Sequence, residues 1–268
     1  MHFDTLKEKC EYYRGLSDYR LMPNSYVVIM LDGRSFSKKV KNKFDKPFDR
    51  KFVEAMNETM KYLCENIQGA MYGYCQSDEI SIVVSDTANE GTDAFFSYRL
   101  CKLLSLCAAM ATAKFNQLML AQRISTLECT SASAGDNIES CRLLIINSPL
   151  YEFDCKAWNV PNSNDAFAWL LYRQNDCIRN SKQQVCQTYL PHRELVGKNT
   201  DEQCALLLER KDVDWNNYVD GLKYGRVCYR ERVTFKKTGT DGDIEYERNP
   251  WVVKDARVFG ENKESYES

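Results

Sequence analysis

Apolar residues near the N-terminus first fall at helical spacing and then run continuously. Phe3, Leu6, Cys10, Tyr13 and Leu16 recur every three or four residues, which predicts an amphipathic helix within residues 3–20, packed on the sheet that follows. Tyr26-Val27-Val28-Ile29-Met30-Leu31 is apolar at every position, the pattern of a central strand covered on both faces, and it ends at Asp32-Gly33-Arg34. Phe48, Phe52, Val53, Met56, Met60, Leu63 and Ile67 predict a second helix with one apolar face, closed by Gly69. Residues 70–84 predict a hairpin, because aromatic and β-branched residues flank the polar turn Gln76-Ser77-Asp78-Glu79.

After a polar stretch over 86–93, Phe95, Phe96, Leu100, Leu103, Leu104, Cys107, Ala111, Phe115 and Leu118 predict a long helix over about 94–121. Arg142-Leu143-Leu144-Ile145-Ile146-Asn147 reads as another buried strand. The order strand, helix, strand, strand, helix, strand is the split pattern of ferredoxin-like sheets (βαββαβ), in which the first and third strands are antiparallel neighbours. Asp32 is therefore expected beside Asp78 and Glu79. Beyond residue 150 the pattern turns mostly helical, with helices over 166–187 and 202–211. Two strands, 226–235 and 244–254, follow around the turn Gly239-Thr240-Asp241-Gly242. The predicted class is α+β, with an antiparallel sheet domain at 1–150 and a mostly helical region with a β-hairpin at 151–268.

A chain of 268 residues suffices for one substantial core plus an accessory region. Its 36 basic and 38 acidic residues give a net charge of −2, so any polyanion site is a local patch. Twelve cysteines occur without a Cys-x-x-Cys pair, and only two histidines could complete a zinc set, so a reduced, cytoplasmic protein is expected, with a mitochondrial one left open. The N-terminus lacks an apolar signal core. The longest apolar stretch, around Leu103 to Ala113, reads as too short to span a bilayer, and no membrane role is expected.

Magnesium takes oxygen ligands and is commonly held by one or two carboxylates plus substrate phosphates. Asp32 and Asp78 could supply the carboxylates and Gly33 a backbone carbonyl, and two such ions suit phosphoryl or nucleotidyl transfer. Separately, Asp-Gly after a strand also reads as a plain turn and Asp-Glu as a solvated hairpin tip; topology is what brings them together. Lys46 lies in a loop near the same edge and reads either as a phosphate contact or as a surface lysine. Arg99 and Lys102, one turn apart, read either as a pair on a triphosphate or as the polar edge of a helix. RNA affinity needs cations along a phosphate path, for which the candidates are Lys38 to Lys43 and, alternating with Tyr229 and Phe235, Arg226, Arg230, Arg232, Lys236 and Lys237.

Asp32-Gly33-Arg34, Phe44-x-Lys46-Pro47-x-Asp49 and Tyr72-Gly73-Tyr74-x-Gln76-Ser77-Asp78-Glu79 resemble, in order and spacing, the tRNA-histidine guanylyltransferase superfamily. Tyr172-Arg173-Gln174-Asn175-Asp176-Cys177, Trp215-Asn216-Asn217 and Lys223-Tyr224-Gly225 extend the resemblance over roughly residues 3 to 232. It implies a polymerase-like palm domain and 3′-to-5′ addition of nucleotides to a tRNA 5′ end. There the incoming nucleotide's 3′-hydroxyl attacks an RNA end activated as a triphosphate or by adenylylation. It also implies two Mg2+ ions, ATP or GTP for activation, nucleoside triphosphate substrates and a homotetramer.

By the same match Asp32, Asp78 and Glu79 would be catalytic, with Asp32, Gly33 and Asp78 on metal. The match puts Lys46 and Asn180 on nucleotide phosphates, and with Gly33, Arg34, Ser35, Phe36, Ser77, Arg99 and Lys102 these are the expected nucleotide contacts. Together with the charge pattern, the expected RNA contacts are Lys38, Lys39, Lys41, Arg173, Asp176, His192, Lys198 and Asn216. Two departures stand out. The guanylyltransferases' His-Ile-Asn-Asn stretch reads Ile178-Arg179-Asn180-Ser181, and their Asp-Cys-Arg at the fourth strand reads Ser140-Cys141-Arg142. His192-Arg193-Glu194-Leu195-Val196-Gly197-Lys198 resembles the guanylyltransferase-like branch, associated with templated repair of 5′-truncated tRNA. Addition of a single 5′ G to tRNA-histidine, a palm-fold nucleotide cyclase and a catalytically silent RNA-binding protein are the alternatives.

Overall fold

The computed structural model describes residues 3–36, 44–87, 91, 93–128, 142–143, 145–239 and 242–259. Its centre is a six-stranded antiparallel sheet in the order β4-β1-β3-β2-β5-β8, where β1 is Tyr26–Gly33, β2 Ala70–Gln76, β3 Glu79–Ser85, β4 Phe153–Val160, β5 Arg226–Arg230 and β8 Trp251–Asp255. A separate two-stranded ribbon pairs β6 (Val233–Gly239) with β7 (Gly242–Arg248). β1 lies between β3 and β4, as its continuous apolar run predicts, and Asp32 pairs with Glu79 in the register.

Residues alternate between the two faces of a strand, so β1 serves two layers at once. Val27, Ile29 and Leu31 are fully buried in the principal core with residues of helices α2 (Arg50–Asn66) and α3 (Leu100–Glu128). α2 starts where the Asp49 carboxylate accepts from Phe52 N at 2.8 Å, and it buries Met56, Met60 and Leu63 on one stripe. α3 buries Leu103, Cys107, Ala111 and Phe115, a four-residue stripe matching one helical face. Between these layers the Phe36 ring meets Phe52, Phe115, Tyr151 and Phe153 at centroid distances of 5.1–6.2 Å. This aromatic cluster fixes the turn that follows Asp32.

The opposite face is covered by α4 (Ser163–Tyr189), capped by Asn162, whose side chain accepts from Asp165 N at 2.9 Å. α4 lands on the sheet through Trp169, which donates to Ser81 Oγ at 3.1 Å and packs its ring on Trp158 at 4.7 Å. Farther along, Val185 and Cys186 of α4 and Leu190, just past its end, form a second cluster with Leu207 of α6 (Thr200–Lys211) and Trp215; the short α5 (His192–Leu195) and α7 (Asp220–Lys223) complete the region.

The structure corrects several expectations. The fourth strand is Phe153–Val160, not residues 142–147; of the latter, 142, 143 and 145–147 are helical, with Ile146 67% exposed. The sheet thus runs past residue 150 and takes in β5 and β8 from the mostly helical region at 151–268. The N-terminal helix α1 (Leu6–Gly15) forms, with a capping box between Thr5 and Glu8, but buries none of its residues. Its aromatic contacts are local, Phe3 with Tyr12 and Tyr13, and Leu6 is 77% exposed. The helix over Leu100–Ser125 is long and apolar enough to cross a membrane by length and composition, contrary to the sequence reading. Its buried stripe marks it as the core helix of the sheet. Arg226, a proposed RNA contact, is buried, donating to Asn57 Oδ1 at 2.8 Å and Gly221 O at 3.0 Å.

Candidate active site

Residues paired across a sheet share a face, about 4.5–5.5 Å apart. Asp32 is paired with Glu79 on one side and Asp154 on the other, and Glu79 in turn with Gln76. Asp154, Asp32, Glu79 and Gln76 therefore form one row on the α4 face, at the end of the sheet where β1 finishes. Asp78 sits at the hairpin turn beside this row. Gly33 N donates to Asp78 O at 3.1 Å, and Ser77 Oγ donates to Asp78 Oδ1 at 3.1 Å.

Gly33 is required by close approach. A Cβ there would lie 2.8 Å from Asp78 Oδ2 and 2.7 Å from the Phe36 ring. Phe36 is locked in the aromatic cluster, so an added methyl displaces the carboxylate instead. Gly33→Ala is expected to lower activity at least about 10-fold, since an ångström of misplacement at a reacting centre can cost up to about 100-fold. A steady-state rate within twofold of wild type would refute this.

The electrostatics describe a site short of positive charge. Burial, then the charge of Asp32, pushes the Asp78 carboxyl up to about 6. Asp32 is raised by burial and next by Asp154, with Lys156 and Arg173 pulling it back. Glu79 is raised by burial, against the Arg173 hydrogen bonds. Its partner is explicit: Arg173 Nε donates to Glu79 Oε1 at 2.6 Å and Nη2 to Oε2 at 2.5 Å, while Nη1 donates to Asp176 Oδ2 at 2.7 Å. Asp176 Oδ1 meets Arg179 at 2.7 Å, so charges alternate from the sheet out along α4.

α4 also measures the width of the site. Arg173 stands at Glu79, and Gln184 Nε2 donates to Pro47 O in the loop that carries Lys46. Eleven residues of helix separate them by about 16 Å. Exposed Asn180 lies between, so the carboxylates, Asn180 and Lys46 border one helix. Arg34 and Ser35 occupy the exposed turn after Gly33, and Ser77 is likewise exposed at the hairpin turn.

Other expected contacts fall elsewhere. Phe36 is a core residue, Arg173 is engaged with Glu79 and Asp176, and Asp176 with Arg173 and Arg179. Arg99 pairs with Asp18 at 3.0 Å and bridges Arg20; Leu21 N, beside it, donates to Tyr98 O. This places Arg99 and Lys102 at the start of β1, roughly 20 Å of strand away from Asp32 within one chain. His192 and Lys198 are exposed beyond the end of α4. Asn216 lies in an exposed turn, donating to Asp214 Oδ1 at 2.9 Å while its carbonyl accepts from Lys223 Nζ at 3.0 Å. Lys38, Lys39 and Lys41 lie outside the described residues, as do the side chains of Lys236 and Lys237.

The sequence reading missed Asp154 and Lys156. With β4 at Phe153–Val160, the Asp-Cys-basic sequence of the fourth strand is Asp154-Cys155-Lys156. The departure read at Ser140 disappears with it. The available signal was the alternation of Phe153, Cys155 and Ala157 with Asp154 and Lys156, which is the pattern of an edge strand.

A palm-like α+β sheet with an aspartate pair at the end of its first strand defines the class. Residues 7–161 match the family described as Thg1, tRNAHis guanylyltransferase, and the chain belongs to that family. Among solved structures it is similar to a bacterial tRNA(His) guanylyltransferase-like protein in complex with ATP, with a TM-score of 0.77 and 28% identity over 97% of this chain and 96% of that one. The complex of such a bacterial protein with GTP gives a TM-score of 0.73 and 27% identity over 97% and 96%. A probable tRNA(His) guanylyltransferase of Mus musculus is 29% identical over 87% of this chain and 74% of its own length. Members of the family are nucleotidyltransferases, and this chain is one.

Proposed function

We propose that this enzyme adds nucleotides in the 3′-to-5′ direction to the 5′ end of tRNA, matching a template, and so repairs 5′-truncated tRNA. The observation that carries the chemistry is the Asp32–Asp78 pair against Gly33. The observation that favours repair over obligatory addition of one G is Ile178, which stands where the guanylyltransferases carry histidine and packs against the apolar cluster of Val185, Cys186 and Trp215. No imidazole is available there.

The donor set fits magnesium. Burial raises the cost of ionising both carboxylates, the charge of Asp32 adds to it at Asp78 and that of Asp154 at Asp32, and a divalent cation relieves it. Among the described residues no group of three His, Cys, Asp or Glu side chains converges as an all-protein cage. This agrees with an ion carried by one or two carboxylates and completed by substrate phosphates. When bound, Mg2+ supplies charge stabilisation and activation of the attacking hydroxyl. Asp32, Asp78 and the Gly33 carbonyl are the groups that would hold it.

The chain's own residues position the reactants. The turn 33–36 is anchored by Phe36, which keeps Gly33 against Asp78. Arg173 neutralises Glu79, so the acid beside Asp32 does not add a third uncompensated charge. Lys46, held by Gln184 through Pro47, approaches the phosphates of the activating ATP or GTP, and Asn180 those of the other triphosphate. The activated RNA end is attacked by the 3′-hydroxyl of the incoming nucleotide, and the bond to the leaving pyrophosphate or AMP breaks. Gln184→Ala is expected to raise KM for the activating nucleotide about 3- to 10-fold, the loss of roughly one hydrogen bond's positioning. An unchanged KM would detach the loop from nucleotide binding.

Homotetramer assembly belongs to the same reading, with exposed Leu6, Tyr13, Leu16 and Met22 as the surface a second copy covers. The test supplies a tRNA lacking its first 5′ nucleotide, all four nucleoside triphosphates and Mg2+, and sequences the new 5′ end. Template-matched nucleotides support repair. One G added to tRNA-histidine whatever lies opposite it would replace repair with the single-addition reading.

A further inference from the structure

Six of the described cysteines face one another in pairs across packed elements. Cys64 of α2 meets Cys228 of β5, Cys107 of α3 meets Cys155 of β4, and Cys186 of α4 meets Cys204 of α6. All six are free thiols. Nucleotidyl transfer uses none of them, and two thiols held side by side can be oxidised together to a disulfide.

The three pairs differ in access and in charge. Cys64 and Cys228 are both sealed in the principal core. Cys155 is partly exposed, but the charge of Asp154 beside it opposes a thiolate there. At the junction of α4 and α6, Cys186 is fully buried and Cys204 partly exposed, with their sulfurs 3.9 Å apart. Lys182, one turn before Cys186 on α4, reaches Asp201 at 2.6 Å, and its charge favours the thiolate of both cysteines. Burial works against that charge and raises both thiols, so the pair rests reduced.

The two thiols also stand on regular helix, and α6 is fixed at its start by the capping box of Asn199 and Glu202. A disulfide bond of about 2.05 Å asks each sulfur to move roughly 1 Å, which a cysteine side chain supplies by turning about one bond.

We propose that Cys186 and Cys204 are a redox site, at which a hydroperoxide closes a reversible disulfide that staples α6 to α4. The Cys204 sulfur attacks the O–O bond of hydrogen peroxide, becomes a sulfenic acid and releases one water. The Cys186 sulfur then attacks the sulfenic sulfur; the S–S bond forms, the S–O bond breaks, and the hydroxide leaves as a second water with the Cys186 proton. Two thiols lose two electrons and two protons, and one peroxide is reduced to two waters. The staple closes a loop across 18 positions and holds Val185, Leu190, Leu207 and Trp215 together.

The full-length protein and its Cys204→Ser and Cys186→Ser variants are treated with hydrogen peroxide or with diamide, alkylated, digested and mapped by mass spectrometry. Exposed Cys10 and Cys101 report that each oxidant has acted. The expected product in wild type is a peptide pair joined through Cys186 and Cys204, separated again by dithiothreitol and missing from both variants. Oxidation should raise the wild-type melting temperature by about 5–10 °C, and that of the variants by less than about 2 °C. Cys186 and Cys204 still free after either oxidant has consumed Cys10 and Cys101 would overturn the proposal. So would their conversion to higher acids without a cross-link, or a cross-link that leaves the melting temperature unchanged.

Discussion

Asp78→Asn is expected to lower nucleotidyl transfer by about 1,000-fold and, in the same protein, to raise thermal stability. The rate effect follows from removing one of two carboxylates that position the reacting phosphate, where single electrostatic groups are worth about 100- to 1,000-fold. The stability effect follows from burial. The folded-state pKa of about 6 lies above the ordinary carboxylate value of 3.8. Between these values the folded chain binds more protons than the unfolded one, so wild-type stability falls as pH rises from about 4 to about 6 and is level above. A shift of about two units costs on the order of 2–3 kcal/mol at neutral pH, which the amide does not incur. Melting curves in EDTA should show the variant more stable at pH 7.5 and the gap closed at pH 4. Added Mg2+ should then raise the melting temperature of wild type but not of the variant. A variant that loses activity by unfolding would contradict this account.

Arg173→Met is expected to destabilise the protein by about 3–5 kcal/mol, because it leaves the Glu79 carboxylate buried without its partner. At this chain length that corresponds to a fall of roughly 6–20 °C in melting temperature. Replacing both members, Arg173→Met with Glu79→Met, should recover much of the loss, since apolar groups of similar volume often substitute for a buried ion pair at little cost. A thermal-melt cycle over the four proteins reads the coupling directly. A single-variant loss below about 1 kcal/mol would mean that Glu79 is solvated or held by another cation.

Strong local patterns were legible in the sequence. The continuous apolar run of β1 and the aromatic and β-branched flanks of the hairpin identify three strands. The split topology then places Asp32 beside Glu79, as the register shows. The fourth strand was not legible because Leu143-Leu144-Ile145-Ile146 is as apolar as a core strand, whereas β4, at the sheet edge, alternates. Local apolarity cannot tell an exposed helical segment from a buried strand; the long-range pairing decides. Asp154 and Lys156 were hidden with it. The same limit applies to Arg173 and Glu79, 94 positions apart, whose fork is created only when α4 crosses the sheet. Conversely α1 has an inward-looking apolar stripe that stays exposed within one chain. Periodicity reports that a face is apolar, not what it meets.

The direction of growth is the central claim, and one label tests it. The enzyme is given a 5′-triphosphate, 5′-truncated tRNA and the template-matched nucleoside triphosphate carrying its radiolabel in the γ-phosphate. If the nucleotide's 3′-hydroxyl attacks the RNA end, pyrophosphate leaves from the RNA and the labelled triphosphate becomes the new 5′ end. Label retained in a tRNA one nucleotide longer, and absent with Asp78→Asn, is the expected result. Extension with the label released as pyrophosphate, or no extension at all, would contradict the account.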